Sequence, residues 1–186
     1  NSKRKKTRKE RNEESRLKEE QLRKKEETLM DLNRTPETID DFERSVLLSP
    51  NSSIVWLRYI AFHLEQAEVD KARAVGERSL KTINFREEQE KLNIWFALLN
   101  LENLYGTQAS LDELLQRAIQ YNEPIKIFNH LAQVYISTEK HEQAELLHQM
   151  MLKKFNYDKN VYINFGLFYY KTNRTESARK LLQKSL

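Results

Sequence analysis

The side chains best placed to do chemistry near neutral pH are four histidines, His63, His130, His141 and His148, because only an imidazole ordinarily titrates there. Three of them lie close together in sequence. The string His141-Glu142-Gln143-Ala144-Glu145 approaches the zinc-protease helix motif but has Glu where the second His ligand belongs. Adding His148 gives a weak constellation at most, and a solvated helix face accounts for the same residues, so no metal is expected. Gly76, Gly106 and Gly166 stand apart and form no phosphate-cradling loop. Ser, His and Asp occur without a nucleophile elbow. The lack of cysteine excludes disulfides, thiolate nucleophiles and cysteine zinc sites. The expected chemistry is therefore that of a non-enzyme, with no catalytic residue, cofactor, metal or small-molecule substrate.

Two other clusters remain, one basic and one aromatic. Residues 1–11 hold Lys3, Arg4, Lys5, Lys6, Arg8, Lys9 and Arg11 against Glu10, a local charge of 7 − 1 = +6. The whole chain carries +4, so everything after residue 11 sums to 4 − 6 = −2. Any strong pull on a phosphate backbone must come from this tail. The run has the density of a nuclear-import signal or an RNA-touching arm, and equally of a solvated flank. Tyr157, Tyr162, Phe165, Phe168, Tyr169 and Tyr170 resemble a base-stacking platform. Most fall at the spacing of a helical core face, and Tyr170 is the one expected to lie outside it.

The elements that hold these residues are helical. Only three glycines and three prolines interrupt 186 residues, too few for the closely spaced turns of a sheet fold. Residues 12–34 mix charges in favourable i,i+4 order (Glu14 with Lys18, Glu19 with Arg23, Glu20 with Lys24) and predict a solvated, fraying helix. The charged tail thus runs over residues 1–34, partly helical or disordered. No stretch reaches the roughly 18 apolar residues of a membrane span, and no membrane partner is expected.

Beyond residue 35 the apolar spacing becomes three and four. Trp56, Trp95, Phe128 and Tyr162 recur at intervals of 39, 33 and 34 residues, near the period of helix-turn-helix repeats. Three residues after each anchor come Tyr59, Leu98, Leu131 and Phe165, and six after come Phe62, Leu101, Val134 and Phe168. Sixteen after come Ala72, Leu111, Ala144 and Ala178, three of them small enough to let paired helices approach. Nineteen after lie Val75, Leu114, Leu147 and Leu181, and twenty-four after lie Leu80, Ile119, Leu152 and Leu186. This predicts an all-α, right-handed solenoid of four hairpins at about 52–82, 87–121, 124–154 and 158–186. Residues 85–91 are an insert that explains the long first interval and lengthens the following helix. A cap helix is expected at about 36–48, with Ile39, Phe42, Val46 and Leu47 facing inward. Because the chain starts at Asn1 and stops at Leu186 inside an apolar helix, it is expected to be a piece of a longer protein.

Trp56, Tyr59, Ala72, Arg73 and Arg78, with Trp95, Glu102 and Arg117 in the second hairpin, resemble the half-a-tetratricopeptide (HAT) repeat of RNA-processing proteins. The hairpins anchored by Phe128 with Ala144, and by Tyr162 with Ala178, look more like plain tetratricopeptide units. Residues 35–106, above all 83–95 with the insert, are similar to the C-terminal repeat region of the ribosomal-RNA-processing protein five family. That resemblance implies a nucleolar assembly factor of early pre-ribosomal particles that is not itself the nuclease. Its implied partners are other assembly factors and particles containing pre-rRNA or snoRNA, in the nucleolus of the nucleus.

From the residues alone, a near-neutral helical stack is a protein-docking scaffold, with Asn100, Asn129, Gln133 and Asn164 lining a first-helix groove. The alternatives are a module that binds structured RNA directly, or a HAT scaffold in splicing or mRNA 3′-end processing.

Overall fold

A computed structural model describes residues 13–20, 23, 36–156 and 158–183. The chain divides into two units, residues 1–43 and 44–186. In the first, residues 13–20 are helical, with Glu14 and Lys18 paired at 3.7 Å; Leu17 is exposed, as on a solvated helix. Lys3, Arg4, Lys5, Lys6, Arg8, Lys9, Arg11 and Lys24 lie outside the described residues. Helix α1 spans Ile39–Leu48 and starts with a reciprocal cap. The Asp41 amide donates to Thr38 Oγ1 at 3.3 Å, and the Thr38 amide to Asp41 Oδ2 at 3.1 Å. Phe42 and Val46 are buried, whereas Ile39 and Leu47 are 44% and 78% exposed. The expectation of four inward residues therefore holds for two, which sit four apart on one face.

The second unit is a stack of helical hairpins. They are α2 (Ser53–Glu65) with α3 (Val69–Thr82), α4 (Glu88–Tyr105) with α5 (Gln108–Tyr121), α6 (Pro124–Ser137) with α7 (His141–Lys154), and α8 (Lys159–Lys171) with α9 (Thr175–Gln183). Each helix packs on the next in sequence, and α4 also packs on both α2 and α6. This second unit is thus an all-α, tetratricopeptide-like solenoid, in which each apolar face is buried by its neighbours.

The anchors Trp56, Trp95 and Phe128 are buried with Tyr59, Leu98, Leu131 and Phe165. Tyr162 is only half-buried, and Val161 beside it is fully enclosed. Ala72, Leu111, Ala144 and Ala178 are buried where paired helices meet. On α3, α5 and α7 the predicted positions Val75, Leu114 and Leu147 are buried as well, and only the last predicted position is shifted by one residue. Leu80, Ile119 and Leu152 are half-buried, while Ser79, Ala118 and Met151 before them are sealed. In α2 and α6, Phe62 and Val134 are likewise half-buried, and the adjacent His63 and Tyr135 are buried instead.

Three hairpin turns share one geometry. Ala67, Glu139 and Asn173, each eleven residues after its anchor, have φ of 58°, 58° and 60°. The amide after each (Glu68, Lys140, Arg174) reaches back to the carbonyl of His63, Tyr135 or Tyr169 at 2.8–2.9 Å, closing a left-handed C-cap. In the second hairpin the same position is Gly106, yet its φ is −92°. There Thr107 caps α5 through Ser110.

Candidate protein-docking surface

The hairpins are joined by polar links that recur at one register. The residue seven after an anchor meets the second helix of the preceding hairpin. Glu102 on α4 accepts from Arg73 Nε on α3 at 2.6 Å, and Gln108 on α5 donates to the Tyr135 hydroxyl on α6 at 3.3 Å. The Tyr169 hydroxyl on α8 donates to Glu145 on α7 at 3.0 Å, which also pairs with Arg174. Burial pushes the Glu102 carboxyl up, but hydrogen bonds from Arg73 and Ser110, with the Arg73 charge, outweigh it and hold the group below the usual carboxylate range. Gly106 is explained by this carboxylate: a Cβ there would lie 2.0 Å from Glu102 Oε2. Glycine is used for close approach here, not for a left-handed turn. Lys140 Nζ donates to the backbone and side-chain oxygens of buried Asn103 at 2.8 and 2.9 Å.

Arg78 and Arg117 lie over the rings of Trp56 and Trp95 at 5.0 and 5.5 Å. Arg117 also grips Glu77 through two 2.8 Å hydrogen bonds across the first two hairpins. The Trp56 indole N–H donates to the Pro50 carbonyl at 2.8 Å.

The four polar residues expected to line a first-helix groove fall mostly in the seam between successive first helices. His130 stacks on Phe96, 3.9 Å between centroids, and its Nε2 lies 2.9 Å from Asn100 Oδ1. Asn164 Nδ2 approaches Asn129 Oδ1 at 3.4 Å. Gln133 is exposed. Asn100, Asn129 and Asn164 therefore contact the neighbouring first helix. Their spacing showed the helix face; it did not show that the next helix leans on it.

The weak histidine constellation is not assembled. His148 is buried, with Nδ1 2.8 Å from the Ala144 carbonyl and its ring stacked on Phe165 at 4.7 Å. Burial lowers its pKa, so the imidazole is a neutral core ring with Nδ1–H donating. His141 is exposed, and the described residues hold no group of metal-ligating side chains. No described helix is long and apolar enough to cross a membrane. Tyr170 is exposed, while Phe165 and Phe168 are core.

A concavity lies where α3 and α5 end and α4 and α6 begin. It is a groove of about 1020 Å³ walled by the 85–91 insert. The insert turns at Phe85 and Arg86, then adds helix at the start of α4. That added turn is tied back to the first hairpin: the Ser53 amide donates to Glu90 Oε2, and Asn93 Nδ2 to Ser53 Oγ at 3.0 Å. The Asn84 amide donates to Asn51 at 2.9 Å. The Ser53 hydrogen bonds hold the Glu90 carboxyl below its ordinary range. Phe85 and Tyr121 on the groove are 74% and 75% exposed, and Tyr121 stacks on buried Trp95, 6.0 Å between centroids. Sequence reasoning singled out the insert but not this cavity, whose second wall comes from α5.

No family model matches the chain. It is 54% identical to Protein RRP5 homolog of Homo sapiens over 98% of its own length and 10% of the relative's. With Protein RRP5 homolog of Mus musculus it shares 55% over 90% of the chain and 9% of the relative. With rRNA biogenesis protein rrp5 of Schizosaccharomyces pombe it shares 44% over 84% and 9%. The chain spans about a tenth of the length of these curated relatives. A crystal structure of MamA aligns at a TM-score of 0.38 and 16% identity, covering 79% of this chain and 84% of that one, too distant to bear on the fold. On the extent of these sequence matches, the chain is homologous to a segment of the RRP5 proteins, the ribosomal-RNA-processing protein five family.

Proposed function

We propose that this helical stack is a non-catalytic scaffold in ribosome biogenesis, docking assembly factors on pre-ribosomal particles in the nucleolus. The observation that carries it is the match over 84% and 91% of the chain to relatives named as rRNA biogenesis proteins. The fold suits the role. Neighbour-to-neighbour stacking leaves long surfaces free for partners, and the insert opens a groove with two exposed aromatic rings. The test is sedimentation of the tagged 186-residue chain with nucleolar extract on a sucrose gradient. Co-migration with pre-ribosomal particles is expected; a chain that stays at the top of the gradient would sink the reading.

A second reading, direct contact with structured pre-rRNA, is favoured by the +6 charge of residues 1–11. Fluorescence anisotropy of residues 1–186 and 35–186 against a structured precursor fragment, titrated with salt, separates the two. For the scaffold, binding needs the tail and falls steeply with salt. Tight, salt-tolerant binding by residues 35–186 would make the helical array itself the RNA reader.

A further inference from the structure

The groove at the insert has a chemistry narrower than docking in general. Its apolar features are Phe85 at the turn, exposed and unsupported by a core, and the outer face of Tyr121 stacked on Trp95. Arg86 lies over the Phe85 ring at 5.6 Å. The charges on the lining divide into committed and free. Arg117 is held by Glu77, and Lys126 pairs with Glu123 at 2.9 Å. Glu87 and Glu88 sit at the N-terminus of α4, where the helix dipole favours carboxylates. Lys81, Arg86 and Lys91 make no ion pair among the described residues. The charge left for a ligand is therefore positive and lies beside exposed aromatic rings.

We propose that this groove binds a short extended segment of a partner protein, carrying one aromatic or large aliphatic anchor flanked by carboxylates. The anchor packs between Phe85 and Tyr121, and the carboxylates meet Lys81, Arg86 and Lys91. The four carboxylates on the lining, Glu77, Glu87, Glu88 and Glu123, interrupt the basic surface, so Lys81, Arg86 and Lys91 suit a peptide with a few spaced charges and give no continuous basic track for a line of phosphates. This separates the proposed ligand from single-stranded RNA, which uses aromatic rings in an otherwise basic groove. The proposal rests on the docking reading above and names the chemistry of one docked partner.

The test selects random 12-residue peptides displayed on phage against the intact 186-residue chain, then measures the enriched peptides as fluorescent synthetic copies. Enrichment of acidic sequences with a single large apolar residue is expected. Phe85→Ser and Arg86→Glu, both at exposed positions, should each weaken binding about tenfold, while Glu176→Gln, exposed on α9 and away from the groove, leaves it unchanged. Unaltered melting temperatures show that the variants are folded. No enrichment, enrichment of another chemistry, or binding indifferent to both groove variants overturns the proposal. So does a 12-nucleotide oligouridylate that outbinds the peptides and is lost in Phe85→Ser. If the groove variants still co-sediment with pre-ribosomal particles while the peptides fail, the scaffold reading stands and only the groove assignment falls.

Discussion

The first two hairpins and the last two fill the same positions with different chemistry. In the front pair each Trp anchor carries an Arg over its ring, and the seam is closed by Arg73 with Glu102 and Arg117 with Glu77. In the rear pair Lys154 lies over the Phe128 ring and Arg174 pairs with Glu145, but most of the space is filled by rings. His148 stacks on Phe165 and Phe168, Tyr169 on Phe165, and the seam hydrogen bond comes from a tyrosine hydroxyl. A repeat is thus a set of places, and an ion pair or a hydrogen-bonded ring satisfies the same place because both bring a polar atom to the same spot and leave no buried group unpaired. Among the described residues, every buried side-chain nitrogen and oxygen has a partner.

The largest expected break is at the front anchors. Trp56→Ala or Trp95→Ala should cost about 3–5 kcal/mol, read as a lower urea midpoint. Tyr162→Ala, at the equivalent but half-buried rear position, should cost clearly less; equal losses would erase the distinction between the pairs. Gly106→Ala comes next, at about 1–3 kcal/mol, because the new methyl group displaces the Glu102 carboxylate. The same change made in a Glu102→Ala background should be milder, and a double-mutant cycle reads the difference. Glu102→Gln alone is expected to cost about 2 kcal/mol, the scale of hydrogen bonds to a charged group. It stays below the loss for a fully buried pair because Arg73 keeps a third of its side chain in water.

These effects bear on what could be read in advance. The hairpins were legible because aromatic residues recur near a fixed period and bulky anchors have few substitutes. The seam was not, because Arg73, Gln108 and Glu145 share no residue type across the three junctions; only their common place opposite the seventh residue after an anchor unites them. The left-handed turns were hidden for a similar reason. Ala67, Glu139 and Asn173 do not announce positive φ, and the one glycine at that place, Gly106, serves a carboxylate. The one-residue error near the ends of α3, α5 and α7 arose because Leu80, Ile119 and Leu152 look more like core than Ser79 and Ala118. A small residue there is buried by the close approach of the adjoining helices, which hydropathy does not register.

The rear hairpins should respond to acid in a way the front anchors do not. Burial lowers the pKa of His148, so the unfolded chain takes up its proton first as pH falls through the ordinary histidine value of about 6.5. Stability is therefore full above that value, declines as pH drops below it, and stops declining once the folded-state pKa is passed. His130, also lowered by burial, adds in the same sense. Urea midpoints from pH 7.5 to 5 should fall for the native chain and fall less for His148→Phe, which keeps the stack on Phe165. An identical slope in the variant would assign the effect elsewhere. The smallest effect expected is a gain: Glu139→Gly relieves a left-handed non-glycine residue, with a rise of about 0.5–1 kcal/mol. The same change at Ala67 should match it, since both turns have φ of 58°.

The register of the seams also has a consequence for synthesis. Arg73 to Glu102, Gln108 to Tyr135 and Glu145 to Tyr169 span 29, 27 and 24 residues, and the principal helix contacts never skip a hairpin. A chain emerging from the translating ribosome has each partner already behind it when the next one appears, so every hairpin can close on the one just made, long before the last helix exists.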